Sequence, residues 1–535
     1  MNSLTLVLIS IVVFVVGYLT YGRWLSKEWG LDPKRPTPAH TRNDGVDYMP
    51  AKAPVLLGHH FSSIAGAGPI LGPIGAAIFG WLPVFLWILV GSVFFGGVHD
   101  MGALFASVRH DGKSLGEVIG ETMGNKGKKL FALFSWLTLI LVVAAFVNVC
   151  ANTFVATPSA ATSSLLFIAL AVGFGFLVYR RGAGLAISSI IGVTLLFVCI
   201  WLGIKFPLAM SKEFWMIFLL GYIFVASITP VWILLQPRDY LNSFLLYAML
   251  IGGILGIFLF RPTMELAAVT SFKLGEGTSA KYLFPMLFVT VACGAISGFH
   301  SLVGSGTTSK QLDSEKDVQL VGYGSMLIEG VLAVVAIITA SYLSKEGLAE
   351  TLGNGGPINV FASGLGHFME NGFGLSFSIG QTFTALAISA FALTSLDTAT
   401  RLARFIFQEF FETKDASAPN PLTNRYISTG ITVALGGFLA FKGWQMIWPV
   451  FGSANQLLAA IALLALAAWL KQSGRKYKMA LYPTIFMFAV TLTALVLLFV
   501  SNITGGGSII LAGFAAVLFV LAIVLILEAK KAFVK

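Results

Sequence analysis

Residues 58–73 read GHHFSSIAGAGPILGP, and the fold turns on how this stretch is read. It lies inside an apolar run long enough to cross a bilayer, yet it carries adjacent histidines, two serines, four glycines and two prolines. Glycine lowers helix preference, and Pro69 cannot donate to the carbonyl one turn back. Backbone groups freed in hydrocarbon need partners, so such a break persists where it lines a cavity inside protein. The expectation is a membrane helix unwound over Gly66, Ala67, Gly68 and Pro69, with Pro73 following.

The rest of the chain supports a membrane setting. Of 535 residues, 57% are hydrophobic and 11% charged, with a mean hydropathy of +0.86. A soluble protein of this size has no core able to hide so much apolar surface. Cys150, Cys199 and Cys293 fall in separate apolar runs, which argues against a disulfide framework or a CxxC metal site and reads as small core residues. The net charge of +10 sits mostly in loops, so topology accounts for it and no nucleic-acid partner is expected. Leu4 to Tyr18 has no preceding basic region and no convincing cleavage site, so it reads as a first transmembrane helix and not a signal peptide.

Counting apolar runs near 20 residues predicts an all-α polytopic membrane protein with about fifteen transmembrane helices. The runs are 4–22, 54–80, 82–106, 129–156, 163–179, 184–204, 214–236 and 240–260, then 283–305, 320–343, 375–396, 427–441, 446–470, 479–502 and 507–529. With the N-terminus outside, the inside loops hold every lysine and arginine except Lys205, Lys212, Arg261, Lys273, Lys281, Lys345 and Lys442. That asymmetry places the N-terminus outside and the C-terminus in the cytoplasm. Residues 109–128 form a basic inside loop with helical character, and 344–374 read either as a surface helix or as a solvated loop.

The seventh run holds a second break, Ser227-Ile228-Thr229-Pro230, five runs after the first and in a helix of opposite direction. Matched breaks of this kind mark an inverted five-helix repeat of the APC/LeuT type, formed by spans 2–6 and 7–11. On this reading residues 54–400 are the transport core, 1–53 an added helix and loop, and 401–535 accessory helices, within one integral membrane domain. The plainer alternative is that the prolines only kink their helices. Half-helices starting at Pro69 and Pro230 would present unpaired N–H groups to an anion such as a carboxylate. Ser62, Ser63, Gly66, Ala67, Gly68, Ser227 and Thr229 are therefore the candidate substrate-binding residues.

Titratable and hydroxyl residues in the spans are candidates for coupling a proton or sodium gradient. His59 and His60 precede the first break, and His99 and Asp100 lie at a similar depth in span 3. A buried His–Asp pair can relay protons, whereas side chains in the inside water layer would merely anchor helix ends. A metal held by His59, His60 and His99 is a weaker alternative, without diagnostic spacing. Ser305, Thr307 and Thr308 in span 9, with carbonyls near Ala65 and Gly66, could coordinate sodium, or could be small residues for close helix packing. His300 offers a proton site, and Glu329 is an intramembrane carboxylate. Asp397 is expected to pair with Arg401 one turn on. No cofactor is expected.

HHFSSIAGAGPILGP (59–73), FGGVHDMGALFASVRHDGKSLGEV (95–118), SGFHSLVGSGTTSKQLDSEKD (297–317) and GYGSMLIEG (322–330) resemble, in order, motifs of the carbon starvation protein A (CstA) family. The resemblance covers most of residues 50–400. It implies a bacterial inner-membrane uptake transporter, not an enzyme, related to amino acid–polyamine–organocation carriers. Its implied role is import of short peptides or pyruvate during carbon starvation, in some members coupled to protons. Both substrate types carry a carboxylate, as the helix-end argument requires. A sodium symporter of the same substrates and a membrane-embedded metalloprotein are the alternatives.

Overall fold

A computed structural model describes residues 2–534, apart from 46–47, 231–232, 276–280, 354–355, 412–419, 442–443 and 506. The chain opens with α1 (Ser3–Glu28). An interrupted pair follows, α2 (Ala53–Ala65) and α3 (Gly68–Ala76), bent by 40° at the interruption. Next come α4 (Trp81–Arg109) and α5 (Leu115–Ala156), the latter turning at the non-helical Gly124. A hairpin of α6 (Pro158–Val178) and α7 (Leu185–Lys205) precedes α8 (Lys212–Ile228) and α9 (Leu235–Phe260). A second interrupted pair is α10 (Leu283–Thr290) and α11 (Gly298–Gly306), followed by α12 (Gln319–Ser341). After a short helix at Lys345–Gly353, the remaining long helices are α13 (Gly356–Phe373), α14 (Phe377–Phe411), α15 (Arg425–Ala440), α16 (Trp444–Gln472), α17 (Lys478–Thr504) and α18 (Ile509–Val534).

Among the described residues, eleven helices are long and apolar enough to cross a membrane, or twelve if α2 and α3 are one bent span. The expected fifteen are not reached by this measure. The runs at 214–236 and 427–441 form helices of 17 and 16 residues, and the run at 283–305 splits into pieces of 8 and 9. The basic loop at 109–128 does carry helix, as the first turns of α5, and 356–373 is helical as α13.

Hydrocarbon leaves no water for backbone groups, so the apolar runs close their hydrogen bonds internally as helices. Burial then sorts them. The most apolar part of α16 is wholly buried, whereas only 28% of α7 and 39% of α6 are. Alanine at many α16 positions lets it lie close to α5 and α17. The α6–α7 hairpin is peripheral, with Ile187, Ile190 and Trp201 left exposed as lipid-facing side chains.

The termini lie at opposite faces. Ser3 Oγ donates to the Pro262 carbonyl at 2.7 Å, while Glu528 of α18 meets Lys126 at 2.8 Å beside the basic loop. On the N-terminal face the α9–α10 connection folds over the end of α3. There the N–H of Leu82 donates to the Ala268 carbonyl at 3.0 Å and that of Thr270 to the Phe79 carbonyl at 3.1 Å. Gly80 sits against Ala268 with φ of 99°, where any Cβ would collide with backbone.

The break expected inside span 7 is a helix end. α8 stops at Ile228, Thr229 is extended, and the next helix begins at Leu235. Arg401 donates to the carbonyls of Ala226, at 2.7 Å, and Thr229. A cation at the negative end of a helix dipole is favourable, so Ser227 and Thr229 belong to a C-terminus and Pro230 starts no anion-binding half-helix. The partner of the first interruption is instead residues 291–297, between α10 and α11. A Cβ on Gly68 would stand 2.5 Å from Cys293 Sγ, and one on Gly72 2.7 Å from the Thr290 carbonyl. Only because these positions are glycine do the two unwound segments touch.

Candidate functional site: facing interruptions and a buried relay

The first interruption turns at Gly66, where φ is +42°, and α3 restarts at Gly68 with Pro69 in its first turn, the position where a missing N–H costs nothing. The second is held by two neighbouring side chains of α16. Asn455 Oδ1 accepts from the N–H of Phe299 at 2.8 Å, and its Nδ2 donates to Ser297 Oγ at 3.0 Å. Gln456 Nε2 donates to the carbonyls of Phe288 and Val291 at 3.1 and 3.2 Å. Thus the amide end of α11 and the carbonyl end of α10 both find partners on one helix.

Behind the interruptions lies a chain of titratable groups, each at most 2% exposed. His99 Nδ1 is 2.6 Å from Asp100 Oδ1, and His300 Nδ1 is 2.8 Å from Asp100 Oδ2. His300 Nε2 in turn stands 3.4 Å from Glu329 Oε2. One carboxylate therefore orients two imidazoles, and the second imidazole faces another carboxylate. The four groups come from α4, α11 and α12, so any shift of α11 changes their spacing.

A second polar network joins α9 to α2 and α14. Asp397 accepts from Tyr222 Oη at 2.7 Å and from Arg238, so the expected Asp397–Arg401 pair is replaced by Asp397–Arg238. Arg238 also donates to Asp239 Oδ1 at 2.9 Å. Asp239 Oδ2 lies 3.2 Å from His59 Nδ1 and accepts from Ser63 Oγ at 3.4 Å, while the Asp239 carbonyl accepts from Ser62 Oγ at 3.1 Å. Arg238, assigned to a loop by its charge, is 1% exposed. A buried cation thus stands close to α2, although two carboxylates match it. Removing one partner of such a group costs about 3–5 kcal/mol.

The remaining candidates divide. His60 Nδ1 meets Thr308 Oγ1 at 2.8 Å. Ser305 and Thr307 return their hydroxyls to the carbonyls of Ser301 and Val303 at 2.7 and 3.0 Å, and Gly66 lies against Ser395 and Phe146. Ser305 and Thr307 thus satisfy carbonyls of their own helix, as small residues in close helix packing do. His59, His60 and His99 turn to Asp239, Thr308 and Asp100 and do not converge on one point. Among the described residues, the group placed to share a metal is Cys293, His300 and Glu329.

Sequence reasoning passed over Arg238, Asp239, Cys293, Asn455 and Gln456. The signals were polar residues at or inside apolar runs, namely Gln236-Pro237-Arg238-Asp239 and Asn455-Gln456. A cavity of ≈ 730 Å³ opens between α3, α5, α10, α16 and the start of α13. Its volume falls in the range of small-molecule sites, about 300–1,000 Å³. Asn152 and Trp448 line it, and Leu71 and Thr290 bring it to within a turn of both interruptions.

Comparison with known proteins agrees with this architecture. The Escherichia coli peptide transporter CstA is 32% identical over 92% of this chain and 80% of its own. The Campylobacter jejuni peptide transporter CstA is 34% identical over 92% and 79%. The Escherichia coli pyruvate/proton symporter BtsT is 32% identical over 92% and 81%. Among solved structures, a mutant of the Eremococcus coleocola manganese transporter superposes with a TM-score of 0.54 at 12% identity, covering 90% of this chain and 94% of its own. The family model for carbon starvation protein CstA matches residues 2–351 and 345–494, and with the full-length relatives this places the chain in the carbon starvation protein CstA family of membrane transporters.

Proposed function

We propose that the protein is a secondary active importer of a small carboxylate-bearing nutrient, pyruvate or a short peptide, coupled to protons. It sits in the bacterial inner membrane with its N-terminus outside. The observation that carries the reading is the pair of facing interruptions, from which α3 and α11 run to opposite faces with their amide ends inward. The amide end of α3 at the first interruption, with the dipole of α11 directed inward as well, favours an anion without an unmatched lysine or arginine. The substrate carboxylate meets the backbone of Gly66, Ala67 and Gly68 and the unwound 291–297 segment. The cavity on the N-terminal face is its approach from outside. The His99–Asp100–His300–Glu329 chain supplies the proton path, which suits a proton better than sodium because each of its carboxylates faces an imidazole. The relatives' names, a peptide transporter and a pyruvate/proton symporter, agree with this substrate class and coupling.

The core is an inverted repeat whose halves differ from those expected. Setting aside the peripheral α6–α7 hairpin, the first half is α2/α3, α4, α5, α8 and α9, and the second is α10/α11, α12, α14, α15 and α16. Each half begins with an interrupted helix, has its longest helix third, at 42 and 35 residues, and a short one fourth, at 17 and 16. The third helices of the two halves lie against each other, as do the fourth.

The test is uptake of labelled pyruvate and of a labelled dipeptide into proteoliposomes under separately imposed proton and sodium gradients. Concentrative uptake driven by the proton gradient and abolished by Gly68→Leu is expected. Uptake driven only by sodium, or undiminished in Gly68→Leu, overturns the reading.

A further inference from the structure

The α10–α11 interruption adds the Cys293 thiol to two groups of the titratable chain, His300 and Glu329, a meeting that proton transfer does not require. Cys293 lies in the unwound segment, His300 in the first turn of α11, and Glu329 on α12. Their thiol, imidazole and carboxylate ligand atoms all lie within 4.8 Å of one another, and all three residues are buried. His300 Nε2 and Glu329 Oε2 face each other at 3.4 Å without closing a hydrogen bond, and Glu329 Oε1 has no hydrogen-bond partner. A buried polar atom without a hydrogen bond carries a cost of about 1–3 kcal/mol, and an ion placed among these atoms would remove it.

The orientation of His300 sharpens the chemistry. Its Nδ1 is engaged by Asp100 at 2.8 Å, and Asp100 is itself braced by His99 at 2.6 Å. A carboxylate behind one ring nitrogen fixes the tautomer and aims the other nitrogen outward, the usual support for a metal-bound histidine. Zinc–ligand bonds of about 2.0–2.3 Å place tetrahedral ligand atoms about 3.3–3.8 Å apart, so the trio closes on an ion through a shift of about 1 Å. Sulfur, imidazole nitrogen and carboxylate oxygen together select zinc, cobalt or ferrous ions over magnesium or calcium. We propose that Cys293, His300 and Glu329 form a binding site for a divalent transition-metal ion of the zinc–cobalt–ferrous class, with Asp100 as a positioning residue behind His300.

Binding requires the thiolate, so Cys293 releases its proton to solvent as the metal–sulfur bond forms. The metal and the relay proton then compete for His300 Nε2 and Glu329, which makes the site a point of inhibition by zinc. Metal binding is measured on the purified protein and does not depend on the substrate reading.

The test is titration of the purified full-length protein with Co²⁺ alone, following the near-ultraviolet thiolate-to-cobalt charge-transfer absorption. One equivalent per chain, displaced by Zn²⁺, is expected. The band should vanish in both Cys293→Ser and Cys293→Ala, persist in Cys150→Ser and Cys199→Ser, and require about 10–100-fold more metal in Asp100→Asn. Size-exclusion profiles identify variants that have not folded, and having two Cys293 substitutions keeps the test decisive. Absence of the band in the folded wild type, or its survival in a folded Cys293 variant, overturns the proposal. Either result leaves the uptake experiment standing on its own.

Discussion

Asp100 accepts from one imidazole on each carboxylate oxygen, so neutralising it disconnects His99 from His300 while leaving the volume unchanged. Asp100→Asn is therefore expected to stop accumulation of substrate against its gradient, while exchange of internal for external substrate continues in proteoliposomes. Full concentrative uptake in the variant would remove Asp100 from the proton path. His99, Asp100, His300 and Glu329 were legible in the sequence because a titratable residue inside an apolar run is costly and stands out. Arg238 and Asp239 were not. They follow an apolar run and Pro237, where hydropathy places a loop boundary, and hydropathy does not register depth. Only the fold shows that Arg238 is enclosed by Asp239 and Asp397. Cys293 read as a small core residue for a related reason: its neighbours His300 and Glu329 come from other elements.

The two interrupted helices differ in how they are broken, and this decided which of them was visible. Gly66, Gly68 and Pro69 break α2/α3 by local preference alone. Residues 291–297, Val-Ala-Cys-Gly-Ala-Ile-Ser, contain no proline, and their unwinding depends on Asn455 and Gln456 of α16. Pro230 offered a stronger local signal, yet a proline just after a helix commonly marks its end. Tertiary partners thus act together with Gly294, whose φ of 86° suits glycine, at the second break. Replacing Asn455 by leucine should orphan the Phe299 N–H at a cost of about 1–3 kcal/mol and leave Ser297 Oγ with only the Cys293 thiol as partner. The expected outcome is a lower thermal midpoint in detergent and at least a tenfold loss of uptake (about 1.4 kcal/mol per decade). Wild-type stability and uptake in Asn455→Leu would show that the break holds without α16.

At the scale of the molecule, the mostly helical membrane class followed directly from composition, whereas the register of the proposed repeat did not. The α6–α7 hairpin is as apolar as the core helices, so a count of runs gives it equal weight and starts the second half of the expected repeat at α8. Burial tells α7 from the innermost helices, since 28% of the α7 window is enclosed against 78% for α5 and all of α16. The same geometry makes the direction of access testable. Asn152 of α5 lines the cavity on the N-terminal face, whereas Ser63 lies beyond the interruption, fully buried beside Asp239. In intact cells, Asn152→Cys should react with a membrane-impermeant maleimide, and saturating substrate should slow that reaction. Ser63→Cys should stay unlabelled from outside under the same conditions, with the native cysteines as background. Labelling of Asn152→Cys only after the cytoplasmic side is exposed would reverse the orientation and make the cavity an exit. Equal labelling of both positions from outside would mean that the interruptions do not close the path between the two faces.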